Sequence, residues 1–409
     1  MTVLERFLKY ISINTTSDSS KKDTPSTEGQ KELARELVEE LLDIGVMNIY
    51  YESEHGYLYA KLLGNEDLPS IGFVAHLDTS ESASGKNINP MIAENYDGKD
   101  ITLNEFTVLS PEKYPDLKNH IGKSVITTDG TTLLGADDKA GIAEIMQMLE
   151  NIINSNEEHG DIFVCFTPDE EIGQGTLHLD YKHFSPDIAY TIDGSSLGEI
   201  SYENFNAATA KITIKGIATH TGSAKGKMVN AVKIATIINS LMPEDAPENT
   251  EDREGFYHLK RLEGNVTSAT IEYLIRDFDL EKFNERKKYI TKVVDLLNKQ
   301  YNNCINIEIT DSYKNMYDVI KQDPELINLT IQAMKEVGIT PEISLIRGGT
   351  DGVEISYNGI PCPNIGTGGH NFHSIYEYIA VEDMEKVVEL LTHLVKKYSK
   401  EGKKIKIRD

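Results

Sequence analysis

The chain is 409 residues long, 39% hydrophobic and 26% charged, too long for one ordinary core and average enough in composition to fold. Lys+Arg 41 against Asp+Glu 66 leaves a formal net charge of −25, which repels nucleic acid and anionic membrane, argues against both as partners, and attracts cations. The three cysteines, Cys165, Cys304 and Cys362, lie far apart without CxxC spacing, so they read as reduced core thiols of a cytoplasmic protein and not as a disulfide framework or a cysteine zinc site.

The opening MTVLERFLKYISINT sets Glu5, Arg6 and Lys9 among apolar residues, an amphipathic helix rather than the unbroken apolar core of a signal peptide. No later window approaches a membrane span. STEGQKELARELVEELLDIG, from Ser26, predicts a helix that opens with Ser/Thr beside Glu28 and closes on Gly45. YLYAKLL and SIGFVAHLDTS read as strands, TTLLGADDKAGIAEIMQMLENII as a turn entering a long helix, and DIFVCF and DIAYTIDGSS as further strands. This alternation is that of an α/β layer with a largely parallel sheet.

From about Phe205 to Asp311 the pattern becomes β-α-β-β-α-β: AATAKITIKG, MVNAVKIATIINSLM, FYHLKRLEG, SATIEYLIRDFD, DLEKFNERKKYITKVVDLLNKQ and CINIEITDSY, an order that suits a ferredoxin-like module. ELINLTIQAMKEVG and MEKVVELLTHLVKKYSK then predict helices around the strand regions EISLIR and CPNIG. The organisation expected is a catalytic α/β domain of residues 1–204 and 312–409, interrupted by a smaller domain at 205–311. The tail KEGKKIKIRD reads as a frayed, solvated end.

Polar residues gather where the predicted strands end: His76 with Asp78, Asp137 with Asp138, Glu170 with Glu171, Asp193 in TIDG, and His373 in GGHNFH. Open α/β sheets build their sites at those ends. Each element alone has an ordinary structural explanation, such as a helix N-cap for the paired aspartates. Together they form a nitrogen and oxygen ligand set suited to zinc, or to cobalt or manganese. The acid run Asp169, Glu170 and Glu171 repels itself unless a positive charge sits nearby, and two dications would supply it.

The motifs GFVAHLDTS, LLGADDKAGIAEI, TPDEEIGQG, YTIDG and GGHNFH resemble those of the dinuclear zinc exopeptidases, the family that includes carboxypeptidase G, the aminoacylases and succinyl-diaminopimelate desuccinylase. STEGQ, ENFNAA, EGFYHL, IRDFD, SYKNM and IRGGTDG are similar to its tripeptide aminopeptidase branch in particular, and the likeness covers nearly the whole chain. The resemblance implies a catalytic domain with a central mixed, largely parallel sheet, an inserted ferredoxin-like lid, and release of the N-terminal residue from tripeptides. It also implies two Zn2+ per subunit, with Asp137 bridging them, His76 and Asp193 completing one, and Glu171 and His373 the other. A cis peptide between Asp137 and Asp138 comes with it.

Glu170 is then expected to be the general base, and Asp78 to accept the second ring N–H of His76 and fix its tautomer. The matching lid histidine is His220, which in this family stabilises the oxyanion, commonly from the second subunit of a dimer formed through the lid; Thr221 stands where proline is usual. Arg276 and Arg347 are candidates for clamping the substrate's C-terminal carboxylate, with Asn206 and Asn315 adding amide contacts and Gly348 and Gly349 allowing close backbone approach. The same metals would also serve a dipeptidase, a carboxypeptidase or an N-acyl amino acid deacylase, and a non-catalytic peptide-binding relative is a reading of another class.

Overall fold

A computed structural model describes residues 1–404, so the last five residues of the charged tail lie outside the described part. The chain divides into two compact units, one of Met1–Tyr202, Asp318–Ser344 and the segment from Thr350 onward, the other of Glu203–Tyr317 with Leu345–Gly349.

The first unit is built on an eight-stranded sheet in the order Asn48–Tyr51, Leu58–Leu62, Ile162–Thr167, Ile71–His76, Ile188–Gly194, Asn364–Gly366, Glu199–Asn204 and Glu342–Ile346. The central neighbours Ile162–Thr167, Ile71–His76, Ile188–Gly194 and Asn364–Gly366 pair in parallel, and antiparallel pairs flank them. Every residue of Ile71–His76 and Ile162–Thr167 is buried, as parallel strands covered on both faces require. Helices Val3–Ile11, Ala136–Ser155 and Val381–Glu401 pack together in this unit, and the first opens with a capping box of Thr2 and Glu5.

A second, four-stranded sheet of Gly369–His370, Tyr378–Ala380, Val125–Thr128 and Pro90–Ala93, with a small hairpin at Ile101–Thr102 and Val108–Leu109, has no counterpart among the predicted elements. Its strands are two to four residues long, too short for a period-2 pattern to register.

The second unit runs strand, helix, strand, strand, helix, strand, with sheet order Phe256–Gly264, Ser268–Asp277, Asn206–Lys215 and Ile305–Tyr313, which is the ferredoxin-like arrangement. It is longer than the 205–311 expected, because its entry and exit segments are tied to each other. Asn204 N–H donates to Asn315 Oδ1 (3.2 Å), Met316 N–H to Asn204 Oδ1 (2.7 Å) and Asn315 N–H to Asn206 Oδ1 (3.1 Å). Leu345 packs against Phe205, Phe256 and Phe278, which draws Leu345–Gly349 into the same body.

Helix Ala136–Ser155 meets the strand Ile188–Gly194 at Gly141, where a Cβ would stand 2.1 Å from the Ile192 carbonyl oxygen and 2.4 Å from Asp138 Oδ1. Because both obstacles belong to well-anchored groups, Gly141→Ala is expected to destabilise the fold by about 1–3 kcal/mol, read as a lower urea midpoint at unchanged slope.

Candidate active site

Three adjacent parallel strands end at one rim of the sheet and deliver His76, the Asp169–Glu171 turn and Asp193; the neighbouring strand Asn364–Gly366 leads into the loop that carries His373. Asp137 comes from the first turn of helix Ala136–Ser155, where the helical backbone is interrupted at Asp137 and Asp138 and the peptide between them is cis. Asp137 faces two imidazoles at once: Oδ1 lies 2.9 Å from His76 Nε2 and Oδ2 lies 2.9 Å from His373 Nε2. Asp193 Oδ1 is 3.4 Å from His76 Nε2, and Glu171 Oε2 is 2.9 Å from His373 Nε2. Ligand atoms of His76, Asp137 and Glu171 lie within 4.8 Å of one another, as do those of His76, Glu170 and Asp193.

These groups respond electrostatically as an excess of buried acid. Burial, then Asp193, holds the Glu170 carboxyl well above its ordinary range. Burial and the nearby Asp137 push Glu171 up to about 7 against the opposing hydrogen bond from His373. Burial acts on Asp137 too, but hydrogen bonds from His373 and His76 outweigh it and keep its carboxyl well below the usual value. Its hydrogen bonds to Asp137 and Glu171 raise His373 to about 10. Glu171 Oε1 is buried without a hydrogen-bond partner. A set of imidazole nitrogens and carboxylate oxygens, converging in pairs and leaving a buried acceptor unmet, fits divalent cations.

Around these groups lies a shell of buried polar residues. His76 Nδ1–H donates to the Asp78 carbonyl at 3.0 Å, with the Asp78 carboxylate 3.3 Å away, which leaves Nε2 free for a metal. The Asp78 carboxylate also accepts the backbone N–H of Glu170 (3.0 Å) and of Glu171 (3.1 Å) and holds their turn. Asp138 accepts the His76 N–H at 3.1 Å. Glu377 accepts the N–H groups of Leu134, Gly135 and Asp137 at 2.7, 3.0 and 3.1 Å, and burial pushes its carboxyl up to about 7. The sequence pattern assigns no role to Glu377; the available signal was an acid inside the apolar stretch IYEYIA.

The residues expected to bind substrate lie in the second unit, and the structure separates them. Asn206 and Asn315 are only 3% and 5% exposed. Their Nδ2 groups donate to the carbonyls of Asp277 and Phe278 and of Phe278 respectively, which ties both amides into the scaffold. Arg347 donates to the carbonyls of Asp252, Glu254 and Thr250 and to Thr250 Oγ1, which occupies its guanidinium on a loop. Arg276 donates from Nη1 to the Arg347 carbonyl at 2.9 Å, and its Nε is buried without a partner. The aspartates nearby in sequence are engaged elsewhere: Asp277 pairs with Arg286 at 2.8 Å, and Asp351 accepts from Thr167 Oγ1 at 2.7 Å. A Cβ on Gly349 would lie 2.9 Å from the Tyr313 ring, so packing already accounts for that glycine. His220 is exposed on a short turn, where its Nδ1 accepts the Gly222 N–H at 3.2 Å.

His120 Nδ1 lies 3.0 Å from Asp383, and His120 Nε2 lies 3.2 Å from His370 Nε2. His370 stacks on Tyr378, and burial lowers its pKa to about 4.

An α/β sheet that brings two imidazoles and these carboxylates to one rim defines a metal-dependent hydrolase. The chain belongs to peptidase family M20/M25/M40, whose sequence profile matches residues 127–397, and within it to the peptidase T group. It is 50% identical to peptidase T of Bacillus subtilis (strain 168) over 403 residues, covering 97% of this chain and 98% of the relative, and 49% identical to peptidase T of Caldanaerobacter subterraneus subsp. tengcongensis over 407 residues, covering 98% and 99%. Its fold is that of the aminopeptidase PepT from Bacillus cereus, at a TM-score of 0.79 and 24% identity over 97% of this chain and 98% of the other. The protein is a peptide hydrolase, and the alternative of a non-catalytic relative falls away.

Proposed function

We propose that the protein is a cytoplasmic, zinc-dependent aminopeptidase that releases the N-terminal residue of tripeptides. The observation that carries this reading is the carboxylate of Asp137, each of whose oxygens faces a different histidine at 2.9 Å. Asp137 would bridge two Zn2+, with His76 and Asp193 holding one and Glu171 and His373 the other; cobalt or manganese could substitute. Bound there, the ions supply Lewis acidity and lower the pKa of water toward about 7.

The chain's own groups carry the proton traffic. Glu170 takes the proton from the attacking water and later returns it to the leaving amine, a role suited to a carboxyl whose pKa burial has raised. Asp78 fixes the turn from which Glu170 projects. His220 is the proposed donor to the developing oxyanion, brought by the lid of a second copy in a homodimer. Free, partly or wholly buried thiols at Cys165, Cys304 and Cys362 support a reducing compartment.

Arg276, with an unpaired buried Nε, is better placed than the occupied Arg347 to clamp the substrate's C-terminal carboxylate. Arg276→Ala is therefore expected to raise KM for a free tripeptide by about 10- to 100-fold, the worth of a charged hydrogen bond, and to leave the C-amidated peptide nearly unaffected. Steady-state kinetics on both substrates check this; equal losses on the two would remove Arg276 from the clamp.

The experiment that tests the whole reading compares a free tripeptide with its N-acetylated form, its C-amidated form and the matching dipeptide. Cleavage of the free tripeptide alone, with release of its first residue, is expected. Equal cleavage of the N-acetylated form would make the protein a deacylase or carboxypeptidase with the same metals.

A further inference from the structure

The segment STEGQ does more than begin a helix. Helix Glu28–Asp43 is capped by Thr27 without a side-chain bond, and Ser26 is committed elsewhere. Its Oγ donates to Asp169 Oδ1 at 2.6 Å and its backbone N–H donates to Asp169 Oδ2 at 2.6 Å. Gln30, one turn into the helix, donates from Nε2 to Asp169 Oδ1 at 2.7 Å and accepts the Asp169 backbone N–H on Oε1 at 3.0 Å. The Asp169 carbonyl accepts the Gln174 N–H at 2.9 Å. Asp169 and Gln30 have no exposed surface, and Asp169 stands in the left-handed region at φ 54°.

Every polar group of the residue preceding Glu170 is thus engaged, and the next two N–H groups are engaged by Asp78. The carboxylates of the following pair are held differently. Glu171 lies 2.9 Å from His373 Nε2, whereas the carboxylate of Glu170 has no hydrogen-bond partner among the described residues. The direction of Glu170 therefore depends on its backbone, and its backbone depends on Asp169. A rotation of one peptide there would swing the Glu170 carboxylate while Glu171 stayed on its histidine.

We propose that Ser26 and Gln30 are positioning residues for the general base, acting through Asp169 from 143 and 139 residues away in sequence. The proposal rests on the reading of Glu170 as that base. A base displaced by about 1 Å loses on the order of 100-fold in rate, with little change in ground-state binding.

The test uses the full chain loaded with zinc. Gln30→Ala and Ser26→Ala are each expected to lower kcat for a tripeptide by about 10- to 100-fold with KM nearly unchanged, metal content equal to the parent protein, and most of the rate restored in Ser26→Thr. In a Glu170→Gln background, Gln30→Ala should add no further loss, because the group it positions is gone. Equal losses in both backgrounds, a fall in metal content parallel to the rate, or failure of both alanine variants to fold would make the clamp purely structural and overturn the proposal, as would unchanged kcat. If Glu170→Gln by itself kept full activity, the base assignment would fail instead, so the two failures are distinct.

Discussion

Glu170→Gln is expected to lower kcat by about 100- to 10,000-fold while the protein folds, binds metal and binds peptide as before. The amide keeps the shape of the side chain, and the turn that carries it is held through backbone N–H groups by Asp78, so the substitution disturbs no anchoring bond. The half-buried carboxyl lies close to His76 and Asp193, and among the described residues it lacks a hydrogen-bond partner that would fix it for purely structural reasons. What the amide cannot do is accept a proton. Glu170→Asp is expected to fall between the two, since it keeps the proton acceptor but withdraws it by one methylene. Kinetics beside metal analysis separate these effects: a Gln variant that hydrolysed tripeptides at the parent rate would remove Glu170 from the chemistry, and one that lost its metal would make it a ligand.

Much of this site can be read before any coordinates, because acids and histidines at the ends of apolar strands are conspicuous where neighbouring residues are Val, Ile and Phe. His76, Glu170, Glu171 and Asp193 announce themselves in this way. The lid is legible for a similar reason, as its strands are 9 or 10 residues long, and Ser268–Asp277 alternates along its whole length. Bonds between distant segments leave no such trace. Asp169 finds Ser26 across 143 residues, and Glu377 finds Leu134 across 243, with no local periodicity linking them. The ties of Asn206 and Asn315 are equally silent in the sequence, because an amide near a predicted strand end looks available for a ligand. Backbone accounting at the two ends of the lid claims them first, since buried N–H and C=O groups outside the regular ladders must find partners.

Asp137→Asn is expected to abolish activity and, more tellingly, to remove the stabilisation that added zinc gives the folded chain. A ligand that binds only the native state stabilises it by about 2.7 kcal/mol at 100 times its Kd. The parent protein, freed of metal by a chelator, should therefore show a melting temperature that climbs with added zinc and levels only slowly. In the Asn variant one oxygen and the negative charge of the shared carboxylate are lost, and the remaining amide oxygen can face His76 or His373 but not both. The climb should disappear or shrink to that of a single weak site. Asp138→Asn supplies the contrast, since Asp138 accepts the backbone N–H of His76 and, among the described residues, makes no ion pair with either imidazole. If Asp137→Asn melted with the same zinc dependence as the parent, the bridging role would be wrong, and the pairing of the two histidines across Asp137 would be a hydrogen-bond network and not a metal centre.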